Sequence, residues 1–402
     1  MKKNVNAMIL SNRKINSRSA IYLVLPLFIG FIASIIILNY FSPNDSENKI
    51  NFDELALGKD TMLYAAQVDN TQVHCHDLED ASHCIDGYNK ISKDINTDVV
   101  LWLGNSQLHA INQMKPGDET ATPILHRNII DLKKYFMTFS QANANLQEHY
   151  VLFNYLASKA PISTLVLPVV FDDMRETGIR KSISGAFKDQ HVVNELEKTS
   201  IGKKLLSNYD DQDMMGNDMA ALEETVQERV EIFLDTKLGL YWQIWKERPS
   251  LRGSFFYGFL YNTRNWLFNI NPSSIRKVIP GRYIANTQAL HAILKTAQEK
   301  NINVLLYIVP IRNDIQIPYD LVQYASFKEE VGIVANKYNN VMFKNLEGLV
   351  PAKLWGAKAS TTIGKEVEAD FMHFQAGGHQ ILANSILLEL QLIWGQGNIN
   401  DI

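Results

Sequence analysis

The chain has 402 residues, of which 46% are hydrophobic and 20% are charged. This composition is typical of a globular protein with a sizeable core, and it excludes a disordered chain. The net charge of −4 gives no indication of a nucleic-acid partner. The sequence contains no internal repeat, no Walker loop and no dinucleotide-binding fingerprint, so we expect no cofactor.

The N-terminal part of the chain has the pattern of a membrane anchor. Residues 1–19 contain five Lys or Arg residues and no acidic residue, whereas residues 20–41 contain no charge. A helix of that length spans about 30 Å of hydrocarbon, and the preceding cations predict a cytoplasmic N-terminus. We therefore predict a cytoplasmic tail (1–19), a single-pass anchor in the inner, plasma membrane (20–41), a polar linker (42–60) and a periplasmic or extracellular domain (61–402). A cleaved signal peptide is the alternative.

The chain contains two cysteines, Cys75 and Cys84. An even number of cysteines in an exported domain, with eight residues between them, predicts a local disulfide. The histidines at positions 74, 76 and 83 leave a Cys/His metal site as an alternative, but their spacing does not match a zinc-binding pattern. We therefore expect a disulfide and no metal, with free thiols as the remaining alternative.

The first candidate catalytic residue is Ser106. The composition of residues 98–103 predicts a strand, and Gly104-Asn105 predicts a tight turn into a helix that starts at Ser106. The hydroxyl would then lie in the crevice beyond the carboxyl end of the strand, where α/β sheets bind ligands. The free N–H groups at that helix start can stabilise developing negative charge. An ordinary serine that caps a helix is the alternative.

Asp370 and His373, near the C-terminus, are the matching candidates for acid and base. Two residues three positions apart, in a turn that enters a helix, can point to one side. The carboxylate can accept a hydrogen bond from one imidazole nitrogen while the other nitrogen faces a serine hydroxyl, as in a Ser–His–Asp triad. His109, three residues after Ser106, is the alternative base.

These two segments resemble the first and last motif blocks of the SGNH/GDSL hydrolase superfamily, with Gly-Asn-Ser in place of the usual Gly-Asp-Ser. The resemblance implies an α/β, SGNH-like three-layer sandwich with a central parallel sheet. It also implies that Ser106 is the nucleophile, with Asp370 and His373 as acid and base. One oxyanion donor would be the Ser106 N–H, and a loop at 140–145 would supply a second from Asn143 or a nearby backbone N–H.

Further strands are predicted at 135–139, 164–171, 303–309 and 340–343, and helices at 146–158, 287–300, 324–336 and 381–393. A helical insertion spans about 178–301, with a helix at 220–245 and an aromatic cluster at 255–268, which is either core or an interaction surface. The loops after strands 164–171 and 303–309 carry charged residues at the carboxyl edge of the sheet. In the first loop, Arg175 would bind an anionic or carbonyl group, or belong to a surface salt-bridge cluster. The predicted oxyanion and substrate-binding residues are Asn105, Gln107, His109, Asn143, Asp172, Arg175, Arg312 and Asn313.

The predicted chemistry is acyl transfer through an acyl-serine. An N-terminal anchor followed by an exported SGNH-like domain resembles envelope O-acyltransferases of the alginate O-acetyltransferase and D-alanyl-lipoteichoic acid transfer types. This resemblance implies a multi-spanning membrane-bound O-acyltransferase as partner and a cell-envelope polysaccharide or other polymer as acceptor. A secreted esterase or deacetylase, and a non-catalytic docking subunit of a membrane acyltransferase complex, are the alternatives.

Overall fold

A computed structural model of the chain describes residues 62–63, 66–93, 97–215, 275–359 and 367–395. They belong to one of two compact units, which comprises Asn51–Ile232 and Arg252–Ile402. The predicted tail, anchor and linker, the helix at 220–245 and the aromatic cluster lie outside the described residues. Within the described ranges, no helix is both long and apolar enough to cross a membrane.

The strands of the described residues are β1 (Met62–Leu63), β2 (Gln67–Val68), β3 (Thr71–Gln72), β4 (His74–Cys75), β5 (Asp98–Gly104), β6 (Ala110–Ile111), β7 (Lys134–Ser140), β8 (Ile162–Val169), β9 (Asn303–Ile308), β10 (Val341–Asn345), β11 (Trp355–Ala359) and β12 (Val367–Phe374). The α-helices are α1 (Ala81–Ser92), α2 (Ala121–Ile129), α3 (Leu146–Ala157), α4 (Lys181–Ser184), α5 (Gln190–Leu196), α6 (Ser200–Met215), α7 (Pro280–Glu299), α8 (Leu321–Ala335) and α9 (Ala376–Ile393).

A parallel sheet forms the centre of the fold. Its strand order is β10-β9-β8-β5-β7-β4, and every neighbouring pair is parallel. Strand β5 lies inside the sheet, so residues 99–103 are buried and apolar on both faces. Trp102 on β5 donates a 3.1 Å hydrogen bond from Nε1 to the hydroxyl of Tyr307 on β9, which satisfies both buried polar groups.

Helices flank this sheet, so the predicted α/β class with a central parallel sheet is confirmed. Helix α3 packs against α7, and α9 packs against α2. Helix α3 starts with a capping box between Asn145 and Glu148. Helix α7 starts at Pro280, earlier than predicted, because proline is well suited to the first helical turn. The described parts of the predicted insertion, 178–215 and 275–301, contain the helices α4, α5, α6 and α7.

The predicted helix at Ser106 is wrong. Ser106–Leu108 form only a short 3-10 helix, and the chain then enters β6, which pairs antiparallel with β1. The next α-helix, α2, begins at Ala121. The pairing of β6 with a strand more than forty residues earlier in the chain overrides the local pattern, which carries no information about that partner.

The prediction of a turn that leads Asp370 and His373 directly into a helix also needs correction. Both residues lie in β12, which pairs antiparallel with β11 in a hairpin that the sequence analysis missed. The register shifts between Trp355 and Ala357, so that residues 370–373 bulge out of the ladder. Helix α9 then starts at Ala376, earlier than the predicted position 381.

The predicted disulfide is confirmed, because Cys75 on β4 is bonded to Cys84 on α1. Both residues are fully buried. Strand β4 is an edge strand that pairs with β7 at only two positions, His74 with Thr138 and Cys75 with Phe139. The disulfide therefore supplies a covalent tie for an edge strand that has few backbone hydrogen bonds.

Candidate active site

Ser106 is positioned by the turn at the carboxyl end of β5. A Cβ atom on Gly104 would lie 2.4 Å from Cδ1 of Leu108, so the glycine leaves room for the Leu108 side chain to pack against the turn. The side-chain oxygen of Asn105 then accepts a 3.0 Å hydrogen bond from the backbone N–H of Gln107, as an N-cap does. Ser106 is 8% exposed, at the edge of the sheet where ligands bind in α/β folds.

Asp370 builds the turn that presents His373. Its Oδ1 atom accepts hydrogen bonds from the backbone N–H groups of Met372 at 2.9 Å and of His373 at 3.1 Å. An aspartate that binds the backbone two and three residues ahead folds the chain back on itself. The bulge in β12 therefore places the carboxylate and the imidazole on one side, although the local structure is not the predicted helix entry.

The three candidate catalytic side chains are in hydrogen-bond contact. His373 Nδ1 lies 2.9 Å from Asp370 Oδ2, and His373 Nε2 lies 2.9 Å from Ser106 Oγ. Because the carboxylate can only accept, Nδ1 carries the hydrogen and Nε2 accepts from the serine hydroxyl. This tautomer is the one that can remove the hydroxyl proton.

Asp370 is almost completely buried, yet its environment favours the charged form. Burial acts to raise the pKa of its carboxyl, but the neighbouring His373 and the backbone N–H groups of Met372 and His373 lower it to about 2. Asn112 Nδ2 also lies 3.3 Å from Asp370 Oδ2. The carboxylate is therefore ionised at neutral pH and can stabilise an imidazolium.

Gln107 and Arg312 hold the segments of the site together. Gln107 Nε2 donates to the carbonyl oxygens of Met372 at 2.8 Å and Pro310 at 2.9 Å. The backbone N–H of Arg312 donates to the Phe371 carbonyl at 3.1 Å. The turns after β5 and β9 and the bulge in β12 thus meet at one edge of the parallel sheet.

A cavity of about 210 Å³ opens beside Ser106. Its lining comprises Asn105, Ser106, Ala142, Asn143, Val170, Asp172, Asp173, Arg276, Lys358, Asp370, Phe371, Met372 and His373. Of the predicted oxyanion and substrate-binding residues, Asn105, Asn143 and Asp172 line this cavity. Asn143 is exposed and has a positive φ of 52°, a conformation that asparagine tolerates better than most residues.

The other predicted substrate-binding residues lie outside the lining. Arg175 forms a 3.3 Å ion pair with Asp172 and donates to the Lys277 carbonyl. Arg312 binds Asp314 and the Gly356 carbonyl. Gln107 is buried and Asn313 is exposed, and neither residue lines the cavity.

His109 is also outside the cavity lining, and it contacts Ser106 through its backbone, whose N–H donates a 3.2 Å hydrogen bond to the Ser106 carbonyl. Its Nδ1 atom lies 2.7 Å from Oγ of Ser140, and His74 Nε2 lies 2.6 Å from the same oxygen. Burial lowers the pKa of both imidazoles well below the usual value, and the neighbouring histidines lower it further. The structure therefore places His373, rather than His109, against the serine hydroxyl.

The cysteines of the alternative metal site are consumed by the disulfide. No group of three or more His, Cys, Asp or Glu side chains is arranged to hold a metal ion in the part of the chain that the structure describes.

Several cavity residues are not among the predicted site residues, for example Asp173, Arg276, Lys358 and Phe371. Arg276 is held at the site by an isolated backbone β-bridge with Tyr319 and by an ion pair between its guanidinium and the Asp172 carboxylate. Its guanidinium lies 5.3 Å from the centre of the Phe371 ring, and Lys358 Nζ lies 5.5 Å from it. These placements depend on tertiary contacts, and only Asp173 had a signal in the sequence, in the charged loop after β8.

Asp173 binds the side chain of Asn105. Asn105 Nδ2 lies 3.0 Å and 3.3 Å from the two carboxyl oxygens of Asp173. Burial raises the pKa of the Asp173 carboxyl well above its usual value, and the adjacent Asp172 raises it further. The turn that carries Ser106 is thereby connected to the loop after β8.

No family model matches this chain, and no curated protein matches it either. Among solved structures, the chain is similar to the crystal structure of a carbohydrate esterase family 2 enzyme plus carbohydrate binding domain from Corynascus thermopiles (Myceliophthora fergusii). The identity is 9% and the TM-score 0.32, over 74% of this chain and 67% of that chain. A TM-score this low carries no inference about function.

Proposed function

We propose that this chain is an extracytoplasmic O-acyltransferase that moves an acyl group through an acyl-serine on Ser106. The observation that carries the proposal is the hydrogen-bonded series from Ser106 Oγ through His373 to Asp370, with 2.9 Å at each step, beside an open cavity. A nucleophile, a base within hydrogen-bond reach and a third group that orients the base are the parts that covalent acyl transfer needs.

In the proposed reaction, Ser106 Oγ attacks the carbonyl carbon of the acyl donor while His373 Nε2 takes the hydroxyl proton. The tetrahedral intermediate collapses when the imidazolium returns that proton to the leaving group, which leaves the acyl group on Ser106. An acceptor hydroxyl then attacks the carbonyl carbon of the acyl-serine while His373 Nε2 takes its proton. The imidazolium returns that proton to Ser106 Oγ as the serine leaves, so the acyl group passes to the acceptor and the free serine is restored. Asp370 stabilises the imidazolium in both halves.

Negative charge on the acyl oxygen needs hydrogen-bond donors. The Ser106 backbone N–H and the side-chain amide of Asn105 or Asn143 are the proposed donors, since all three residues line the cavity. Removal of one such donor typically costs about 3 kcal/mol of transition-state stabilisation.

The proposed cellular setting follows from the N-terminal pattern. The parallel sheet flanked by helices fits an SGNH-like three-layer sandwich, and residues 20–41 would anchor it to the outer side of the inner membrane. A multi-spanning membrane-bound O-acyltransferase would then supply the acyl group, and an envelope polysaccharide or other polymer would accept it. The docking-subunit alternative gains no support, because Ser106 and His373 are in contact.

The test uses the full-length chain in detergent or membranes, exposed to p-nitrophenyl acetate and quenched rapidly. We expect mass spectrometry of peptides to find an acetyl group on Ser106. The adduct should be absent from Ser106→Ala and present in Ser207→Ala, which alters an exposed serine on α6. A folded wild-type chain that never carries the adduct would contradict the proposal.

The same preparation separates a transferase from an esterase. After the acetyl group has formed, addition of an oligosaccharide acceptor should speed its loss from Ser106 and should produce an acetylated sugar. Loss at an unchanged rate, with acetate as the product, would favour the secreted esterase.

A further inference from the structure

Asp173 has an unusual position for an acidic residue. It follows β8, begins a short 3-10 helix and is only 7% exposed. It lines the same cavity as Ser106 and His373. Its backbone carbonyl accepts a 3.3 Å hydrogen bond from Asn286 Nδ2 on α7, so the residue is fixed in place.

The other two acids of the cavity have partners that carry or can take positive charge. Asp172 forms ion pairs with Arg175 and Arg276 and accepts from the hydroxyl of Tyr319. Asp370 pairs with His373. Across the residues that the structure describes, the Asp173 carboxyl binds the neutral amide of Asn105 and forms no ion pair.

A carboxylate in this setting would be buried next to the negative charge of Asp172, without a cation of its own. Both effects favour the protonated form, and they raise the pKa of Asp173 well above its usual value. A protonated carboxyl has one oxygen that accepts from Asn105 Nδ2 and one O–H group that can donate. The hydroxyl of this acid is therefore available to a ligand in the cavity.

We propose that Asp173, as a carboxylic acid, donates a hydrogen bond to the oxygen that becomes negative when an acyl group reacts with Ser106. This inference rests on the proposed acyl-transfer function. An ionised carboxylate at the same place would repel that oxygen, whereas a carboxylic acid that burial keeps protonated can donate a hydrogen bond to it. The proton stays on Asp173 throughout, so the step adds a hydrogen bond and changes no covalent bond.

An asparagine at position 173 tests whether Asp173 acts as a hydrogen-bond donor or as an ionised carboxylate. Its side-chain oxygen can still accept from Asn105, and its NH₂ group can donate into the cavity as the acid does. Leucine has a similar size and can do neither. The variants Asp173→Asn and Asp173→Leu thus separate the hydrogen-bond donor from the shape of the side chain.

The experiment measures the rate at which p-nitrophenyl acetate acetylates Ser106 in the full-length wild-type chain and in both variants. We expect Asp173→Leu to be slower than wild type by about 100-fold and Asp173→Asn by about threefold or less. Asp131→Asn removes an exposed acid elsewhere and controls for net charge. Equal losses in the two Asp173 variants, or a leucine variant as fast as wild type, would overturn the proposal.

A pH profile gives a second readout that needs only the conservative variant, so it survives a leucine variant that does not fold. From about pH 5 to about pH 9, the ratio of the Asp173→Asn rate to the wild-type rate should stay level or rise. A ratio that falls with pH would show that an ionised carboxylate assists, and would overturn the proposal. A wild-type chain without any Ser106 adduct contradicts the acyl-transfer function itself, whereas an adduct with a falling ratio contradicts only the role of Asp173.

Discussion

Gln107 Nε2 donates a 2.8 Å hydrogen bond to the backbone carbonyl of Met372, the residue that precedes His373. The same nitrogen donates to the carbonyl of Pro310, and Gln107 is 1% exposed. One buried amide thus connects the turn that carries the nucleophile with the bulge that carries the base.

We predict that Gln107→Leu loosens this connection. Two buried carbonyl groups would lose their partner, at about 1–3 kcal/mol each, and a displaced His373 should slow acetylation of Ser106 by about 10- to 100-fold. Urea unfolding and the rate of p-nitrophenyl acetate reaction measure the two effects. Gln380→Leu, on the exposed side of α9, is the control. Unchanged stability and rate would show that the bridge does not position His373.

A second prediction concerns Asp370→Asn. The asparagine amide would donate to His373 Nδ1, which moves the imidazole hydrogen to Nε2, where it opposes the serine hydroxyl. We expect acetylation of Ser106 to fall by about 10³- to 10⁴-fold. Asp98→Asn, at a half-exposed position on β5, is the matched control and should react like wild type. A loss below about tenfold would argue against Asp370 as the residue that orients His373.

The central sheet is the part of the fold that can be predicted from local sequence. Strands β5, β8 and β9 are buried on both faces over most of their length, so each contains a run of consecutive apolar residues. The hairpin of β11 and β12 gives no such signal, since its partners pair through a register shift. The local sequence also does not indicate that the expected helix at Ser106 ends after Leu108, because that end depends on the pairing of β6 with β1.

The candidate site divides in the same way. Ser106, Asp370 and His373 stand in two short segments whose spacing indicates a triad, and the structure brings their side chains into contact. Arg276 is placed at the cavity by tertiary contacts, among them a backbone β-bridge with Tyr319 and an ion pair with Asp172. The sequence around Arg276 does not indicate these tertiary contacts, so the position of Arg276 at the cavity cannot be predicted from local sequence.

The third prediction concerns the pH dependence of stability. His74 and His109 share the hydroxyl of Ser140, which can donate to one imidazole and must then accept from the other. The imidazole that accepts this hydrogen bond cannot take a second hydrogen without losing it. Burial lowers the pKa of both in the folded state. The unfolded chain then binds protons that the folded chain does not, as the pH falls below about 6.5. Stability should therefore be full above this pH and should decrease below it.

Urea unfolding from about pH 8 to about pH 5 tests this, with a slope of up to about 1.4 kcal/mol per pH unit for each buried histidine. His74→Asn should reduce this slope by the contribution of one proton, which is up to about 1.4 kcal/mol per pH unit. His191→Asn, which replaces a histidine whose side chain is 45% exposed, is the control. A wild-type stability that stays constant over this range contradicts the prediction.

The fourth prediction concerns the disulfide. The Cys75–Cys84 bond closes a short loop, with a sequence separation of 9, and its removal should lower the free energy of unfolding by about 3 kcal/mol. Urea unfolding of the wild-type chain with and without reductant, beside a Cys75→Ala/Cys84→Ala double variant, measures this effect. The double variant should be insensitive to reductant. Identical urea midpoints for the oxidised and reduced wild-type chain would mean that the bond adds nothing to stability.

The fifth prediction comes from the close approach of Gly356 to Asn112. A Cβ atom at Gly356 would lie 1.9 Å from Asn112 Oδ1 and 2.2 Å from its Cγ. Asn112 is fully buried, and its Nδ2 donates to Asp370. Gly356→Ala must therefore displace the amide that supports the Asp370 carboxylate. We expect a loss of about 1–3 kcal/mol in stability and slower acetylation of Ser106.

A double-mutant cycle shows whether the effect passes through Asn112. Asn112→Ala removes the atoms that collide, so Gly356→Ala should cost much less in that background, because residues in contact are not additive. Gly348→Ala is the control, since a Cβ there meets no atom within 4 Å. Additive losses in the double variant would mean that Gly356 acts through other contacts, such as the bond that its carbonyl accepts from Arg312.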